Sequence, residues 1–166
     1  MNVLVLGSGG REHALSHKIV QSTKCEKLFI APGNGGTAAL GDNVSLDIEN
    51  AAEVAAFAKA QAIDIVVIGP EAPLVAGVHD GLKSFPELEN LVVVGPRQAA
   101  AELEGSKDFA KEFMMRHQIP TAAYQTFTKD TLADGQAFLE TLESPYVLKA
   151  DGLAAGKGVL ITADLD

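Results

Sequence analysis

Cysteine is nearly absent from this sequence. Cys25 is the only one in 166 residues, which excludes a disulfide framework and a thiolate metal cage. Long apolar runs are missing too. No stretch of about 18 consecutive apolar residues occurs, so no membrane-spanning helix is expected. The N-terminus has no basic region and no small-residue cleavage site, and the run Val3 to Leu6 is too short for a signal peptide. A cytoplasmic location is the default expectation. Positive charge is scarce: 13 Lys and Arg face 22 Asp and Glu, a net charge of −9. A general nucleic-acid surface needs a positive field, so this balance argues against one. An anionic ligand has to be held locally, by backbone N–H groups and a few cations.

What is present is ordinary globular material, 47% hydrophobic and 21% charged, long enough for one compact domain or for a domain plus part of another. Short β-rich runs alternate with helical patterns. The strand candidates are Asn2–Leu6, Lys27–Ala31, Asp64–Ile68 and Leu91–Val94. All are continuous apolar runs, as expected for parallel strands buried on both faces. Between them lie the helix candidates Arg11–Gln21, Ile48–Gln61 and Leu74–Ser84, and Asn43–Leu46 adds a possible short strand. This alternation predicts an α/β fold with a Rossmann-like parallel sheet. The texture then changes. Pro96–Leu103 reads as a helix ending near Gly105, and Ser106 as the cap of a second helix, Lys107–His117, with Phe109 and Phe113 on one face. The stretch Ala123–Phe127, a helix at Leu132–Leu142 and strands at Tyr146–Ala150 and Gly158–Thr162 follow. A domain boundary is expected near Glu104, separating residues 1–104 from 105–166.

The first four strands end in GSGGRE, APGNGG, GPEAP and GPR. In an open parallel sheet the ligand lies at the carboxyl ends of the strands, so these loops are expected to line one binding crevice. The opening loop, Gly7-Ser8-Gly9-Gly10, precedes a helix whose free N–H groups and dipole suit a phosphate. A dinucleotide fingerprint requires a third glycine where Glu12 stands, and an acidic residue after the second strand, where Ala31-Pro32-Gly33-Asn34 offers none. The phosphate is therefore expected on a smaller molecule, with Arg11 and Glu12 as candidate contacts. His13 and His17 lie four apart, but no intervening Glu or third ligand supports a metal, so they read as polar helix positions.

The second region carries YVLKADGLAAGKGVLI, a strand, a small-residue loop and a strand. Lys149 on a mostly apolar strand calls for an anionic partner or an exposed edge. The loop Asp151–Gly158 can offer N–H groups to phosphates. It is not a P-loop, because Gly158 follows Lys157 where Ser or Thr is required, and it joins two strands. Lys107 stands at a helix N-terminus, where cations are disfavoured; such violations gather at functional sites.

GSGGREHAL, APGNGGT, VIGPEAPLVAG, LEGSKDFAKEFM, HQIPTA and VLKADGLAAGKGV occur in order from Val3 to Val159. Together they resemble the phosphoribosylamine–glycine ligase (glycinamide ribonucleotide synthetase) family of the ATP-grasp superfamily. The resemblance implies a ligase of purine biosynthesis that uses ATP and magnesium. Such an enzyme makes an acyl phosphate from glycine, and the amine of 5-phosphoribosylamine then attacks it. It implies that Gly9, Gly10, Arg11 and Glu12 hold the phosphoribosyl substrate, helped by Asn34, Pro70 and Glu71. Lys107 and Lys149 match the family's ATP-phosphate lysines. The glycine-rich loop over ATP corresponds to Asp151, Gly152, Ala155, Gly156, Lys157 and Gly158. Residues 1–104 are then the substrate-binding domain and 105–166 the start of an ATP-grasp domain. The family's chains are longer, so this one is expected to be an N-terminal fragment, inactive alone, of a monomeric parent. No catalytic residue or metal ligand is assigned within it. The alternatives are a non-catalytic sugar-phosphate-binding module or another ATP-grasp carboxylate–amine ligase; a nicotinamide dehydrogenase is disfavoured by the failed fingerprint.

Overall fold

The computed structural model describes residues 1–154 and 156–164. The chain divides into two compact units, Met1–Ala101 and Glu102–Asp166. In the first, five parallel strands form one sheet: β1 (Asn2–Gly7), β2 (Lys27–Pro32), β3 (Asp42–Asn43), β4 (Ile65–Ile68) and β5 (Val92–Val94). Their order is β3-β2-β1-β4-β5, which puts β1 at the centre. Leu4 is in register with Phe29 on one side and Val66 on the other.

Because successive strand residues point to opposite faces, β1 feeds two cores. Leu4 and Leu6 join Phe29, Ala31, Val66 and Ile68 in the larger cluster. Val3 and Val5 join Leu28 and Ile30 in the smaller one. A sheet buried on both faces selects continuous apolar runs, which is why these strands are legible in the sequence. The outermost strand departs from that pattern: Val92 and Val94 of β5 are about half exposed, at 50% and 48%.

Helices connect the strands. The first, α1 (Gly10–Ile19), follows β1 directly. Next, α2 (Ala51–Ala60) begins where Asn50 Oδ1 accepts from the N–H groups of Ala52 and Glu53, a preferred cap. The helix expected over Leu74–Ser84 is two helices, α3 (Glu71–Val75) and α4 (Val78–Lys83). Gly77 breaks it at φ +83°, and Gln98 Nε2 donates to Val75 O across the break. The strand expected at Asn43–Leu46 is met only at Asn43: β3 is Asp42–Asn43, and residues 44–46 form no strand. The chain then enters α5 (Gln98–Gly105).

The second unit holds α6 (Lys107–Arg116), α7 (Leu132–Leu139) and an antiparallel pair, β6 (Tyr146–Lys149) and β7 (Val159–Thr162). Ser106 Oγ caps α6 by accepting from Phe109 N–H at 3.1 Å. The stretch Ala123–Phe127 forms no helix or strand. No helix among the described residues is long and apolar enough to cross a membrane.

Candidate functional site

The β1–α1 turn is organised by Glu12. This carboxylate is buried at 4% exposure, and its Oε2 accepts from Gly9 N–H at 2.6 Å. The same side chain crosses Gly7 and Gly69. A Cβ on Gly7 would lie 2.6 Å from Glu12 Cγ, and one on Gly69 would lie 2.2 Å from Oε1. Both glycines are therefore required by close approach rather than by turn geometry alone. The consequence for an anion is specific. Gly9 N–H is already engaged, so the first-turn N–H groups of α1 that remain begin at Gly10.

Arg11 points across to the β4 loop. Its Nη1 donates to Gly69 O at 2.9 Å and lies 3.3 Å from Glu71 Oε1. A cation at a helix start is explained by this strut between two loops. The Glu71 backbone N–H, with Arg11, holds the Glu71 carboxyl below the ordinary carboxylate range against the opposing effect of desolvation. An open cavity of about 470 Å³ lies between the turns, lined by Gly7 to Glu12, Pro70 to Pro73 and Ile48. That volume suits a small phosphorylated molecule.

Asn34 fixes the β2 loop against the first. Its Nδ2 donates to Ser8 O at 2.8 Å, and its Oδ1 accepts from the N–H groups of Gly36 and Thr37. Thr37 is fully buried, and its Oγ1 accepts from Asn34 N–H and sits 2.8 Å from Asn43 Oδ1. Asn34 is thus bound up in holding the loops together. Neither the APGNGG loop after β2, Asn34 included, nor the GPR loop after β5 lines the cavity, contrary to the expectation of four loops on one crevice; the GPR loop lies elsewhere. It is tied instead to α4, through His79 Nδ1 to Gly95 O at 2.7 Å and Gln98 N–H to Asp80 Oδ2 at 2.7 Å.

In the second unit, the glycine-rich turn meets the start of α6. Asp151 Oδ1 accepts from Lys107 N–H at 2.7 Å and from Asp108 N–H at 3.3 Å, and Ser106 Oγ donates to Oδ2 at 3.1 Å. Lys107 Nζ donates to Gly152 O at 2.7 Å. Desolvation pushes the Asp151 carboxyl up, but the N–H groups of Gly152, Lys107 and Asp108 and the Ser106 hydroxyl outweigh it and hold it below the usual range. Lys149 is exposed at the end of β6, the exposed-edge alternative of the two its sequence context allowed. Gly152 and Gly156 take φ +82° and +76°. Gly158 O accepts from Ala150 N–H, and Lys157 N–H donates to Ala154 O, so these groups close the turn on itself. Ala155 lies outside the described residues.

Sequence reasoning missed Gly7 and Gly69 as the slots for Glu12, and Thr37 and Asn43 as the anchor of the β2 loop. Spacing carries no signal for such contacts between loops. It also missed Asp151 as the partner of α6, 44 positions away; the misplaced charge at Lys107 was the available clue.

Comparison with known proteins covers both units. Residues 1–104 match the model described as phosphoribosylglycinamide synthetase, N domain, and residues 105–166 match the ATP-grasp (A) domain of the same synthetase. A phosphoribosylamine–glycine ligase of Mesorhizobium japonicum is 52% identical over 166 residues, and one of Vibrio parahaemolyticus is 51% identical over 168. Each alignment takes in 100% of this chain and 38% of the relative. The solved phosphoribosylamine–glycine ligase of Thermotoga maritima superposes with a TM-score of 0.71 at 34% identity, over 99% of this chain and 36% of that one.

Proposed function

This chain belongs to the phosphoribosylglycinamide synthetase family, and from that premise we propose that it is the N-terminal part of an ATP-dependent ligase joining glycine to 5-phosphoribosylamine. It spans 38% of the length of the curated relatives it matches. In such a reaction the glycine carboxylate takes the terminal phosphoryl group of ATP. The amine of phosphoribosylamine then attacks the acyl carbon, and phosphate leaves as the amide forms. The parent enzyme works in the cytoplasm as a monomer.

The observation that carries this reading is the cavity between the β1 and β4 loops. There, helix N–H groups and the Arg11 guanidinium face an open space of small-ligand size. Gly10 offers its N–H with nothing within 4 Å of where its Cβ would be, so a phosphate can approach the backbone closely. In this reading Gly9, Gly10, Arg11, Glu12, Asn34, Pro70 and Glu71 form or support the phosphoribosyl site of residues 1–104. Glu12 and Asn34 act mainly by shaping the loops.

Lys107, Lys149 and the glycine-rich turn serve ATP in residues 105–166, where an ammonium, an exposed lysine and positive-φ glycines fit a polyphosphate. Bound ATP supplies the phosphoryl group; these residues only bind and orient it. Magnesium would accompany ATP in the parent ligase. No group of three or more His, Cys, Asp or Glu that could hold a metal ion occurs among the described residues.

The test is a titration of ribose 5-phosphate into the 166-residue chain, followed by amide NMR. Saturable shifts at Gly10 and Arg11 are expected, and their absence would reject the site. In a full-length ligase carrying this chain, phosphate release should depend on both glycine and phosphoribosylamine.

A further inference from the structure

We propose that Asp151 is a positioning residue for the nucleotide: its carboxylate seats the glycine-rich turn on the start of α6 and thereby sets Lys107 in place. The proposal rests on the reading of Lys107 as a nucleotide contact.

Two segments far apart in sequence are fastened here by polar contacts. One carboxylate receives Lys107 N–H, Asp108 N–H and the Ser106 hydroxyl. Ser106 also accepts from Phe109 N–H, so a single cluster caps the ten-residue helix α6 and anchors the turn. A carboxylate is favourable at that end of a helix dipole, and a lysine is not. The next residue along, Gly152, resolves the conflict. At φ +82°, a conformation open to glycine, its carbonyl receives the Lys107 ammonium at 2.7 Å.

Where the charges are placed matters more than their number. No ion pair joins Lys107 to Asp151 among the described residues. The carboxylate is committed to N–H and hydroxyl donors, and the ammonium rests on a neutral carbonyl. A phosphate that recruits Lys107 therefore displaces a neutral acceptor, which binds a cation less strongly than a carboxylate does. Asp151 fixes where the lysine stands without competing for its charge.

The experiment uses a full-length ligase carrying this chain and measures the Kd of ATP and the KM of each substrate. Asp151→Ala should weaken ATP about tenfold, on the scale of one charge-assisted hydrogen bond, and leave the KM for phosphoribosylamine unchanged. Asp151→Asn keeps an acceptor oxygen for Lys107 N–H and should recover part of the loss; it also serves as the variant least disturbed in folding. Lys107→Ala should weaken ATP at least as much, and the double variant Lys107→Ala/Asp151→Ala should be little worse than Lys107→Ala, because Asp151 acts through the lysine. Unchanged ATP affinity in Asp151→Ala, with Lys107→Ala impaired, overturns the positioning role and leaves the nucleotide reading standing. Additive losses in the double variant also overturn it. Unchanged affinity in Lys107→Ala removes the nucleotide reading and the proposal together.

Discussion

The two units are held together by different means. Every buried hydrophobic side chain among the described residues lies between Val3 and Ala101. Beyond Ala101 the same measure finds none, and β6 and β7 leave Val147, Leu148, Val159, Leu160 and Ile161 exposed by 40% or more. Besides the aromatic pair Phe127 and Phe138, with ring centroids 5.8 Å apart, the second unit has polar stitching. Asp151 is bound to the start of α6, Lys111 Nζ donates to Thr121 Oγ1 and Ala122 O, and Thr126 Oγ1 bonds to Asp108. Apolar burial is worth roughly 1.5–3 kcal/mol for a full side chain, whereas a net hydrogen bond gives about 1 kcal/mol. A two-stranded sheet is also marginal by itself. A unit assembled in this way can be positioned accurately without being stable.

The largest expected difference is in core truncation. Leu4→Ala, at 0% exposure, should cost about 2–5 kcal/mol in urea unfolding of the chain. Ile161→Ala, at 65% exposure, should stay within about 0.5 kcal/mol. Equal losses would break the comparison. Hydrogen exchange should agree, slow in β1, β2 and β4 and fast across β6 and β7.

The comparison sharpens at positive-φ glycines. Gly7 is at φ +126° with Glu12 Cγ 2.6 Å from a would-be Cβ, so Gly7→Ala should cost about 1–3 kcal/mol through strain and overpacking and should abolish ribose 5-phosphate shifts. Gly152 is at φ +82° with nothing within 4 Å, so the same change there should cost only the backbone penalty, about 1 kcal/mol. Thermal unfolding of both variants decides it.

Helix caps should erase the difference, because they are local. Asn50→Ala at α2 and Ser106→Ala at α6 should each cost about 1 kcal/mol of local stability, read from amide exchange in the first turn of each helix. A much larger loss at Ser106 would mean that the polar cluster carries the whole second unit.

The smallest effect is on acidification. Glu71 and Asp151 both titrate below their ordinary values, so folding favours their ionised forms. Their contribution is complete above the unfolded values of about 4.3 and 3.9 and is lost as pH falls through the lower folded ones. Between pH 7 and 5 nothing should change at either site. Below about pH 4 the amides of Lys107 and Asp108 should shift in NMR spectra as Asp151 protonates. Both carboxylates are solvent-accessible, so screening keeps the effect small.

Much of the first unit was legible because burial on both faces writes itself as runs such as Val3 to Leu6 and Ile65 to Ile68. The break at Gly77 was not, since a lone glycine in an apolar helical pattern gives no sign that Gln98 will bridge it. The glycine loop before α1 was readable as an anion seat. That Glu12 would occupy Gly9 N–H was not, because it depends on Gly69 passing within contact distance. Lys107 stood out as a charge in the wrong place, yet its partners come from 44 and 45 positions away, a distance over which sequence pattern is silent.

The central place of β1 bears on how the chain comes to be folded. It leaves a ribosome before both of its neighbours, which lie far behind it: β2 pairs from Lys27 onward and β4 from Ile65. Its apolar edges stay without partners on one side until Pro32 has emerged and on the other until Ile68 has. Closure of this sheet is therefore governed by non-local pairing, which is slow and leaves hydrophobic strands open to association meanwhile. Newly made chains halted before residue 69 should draw chaperones or aggregate, and those carried past β5 should not.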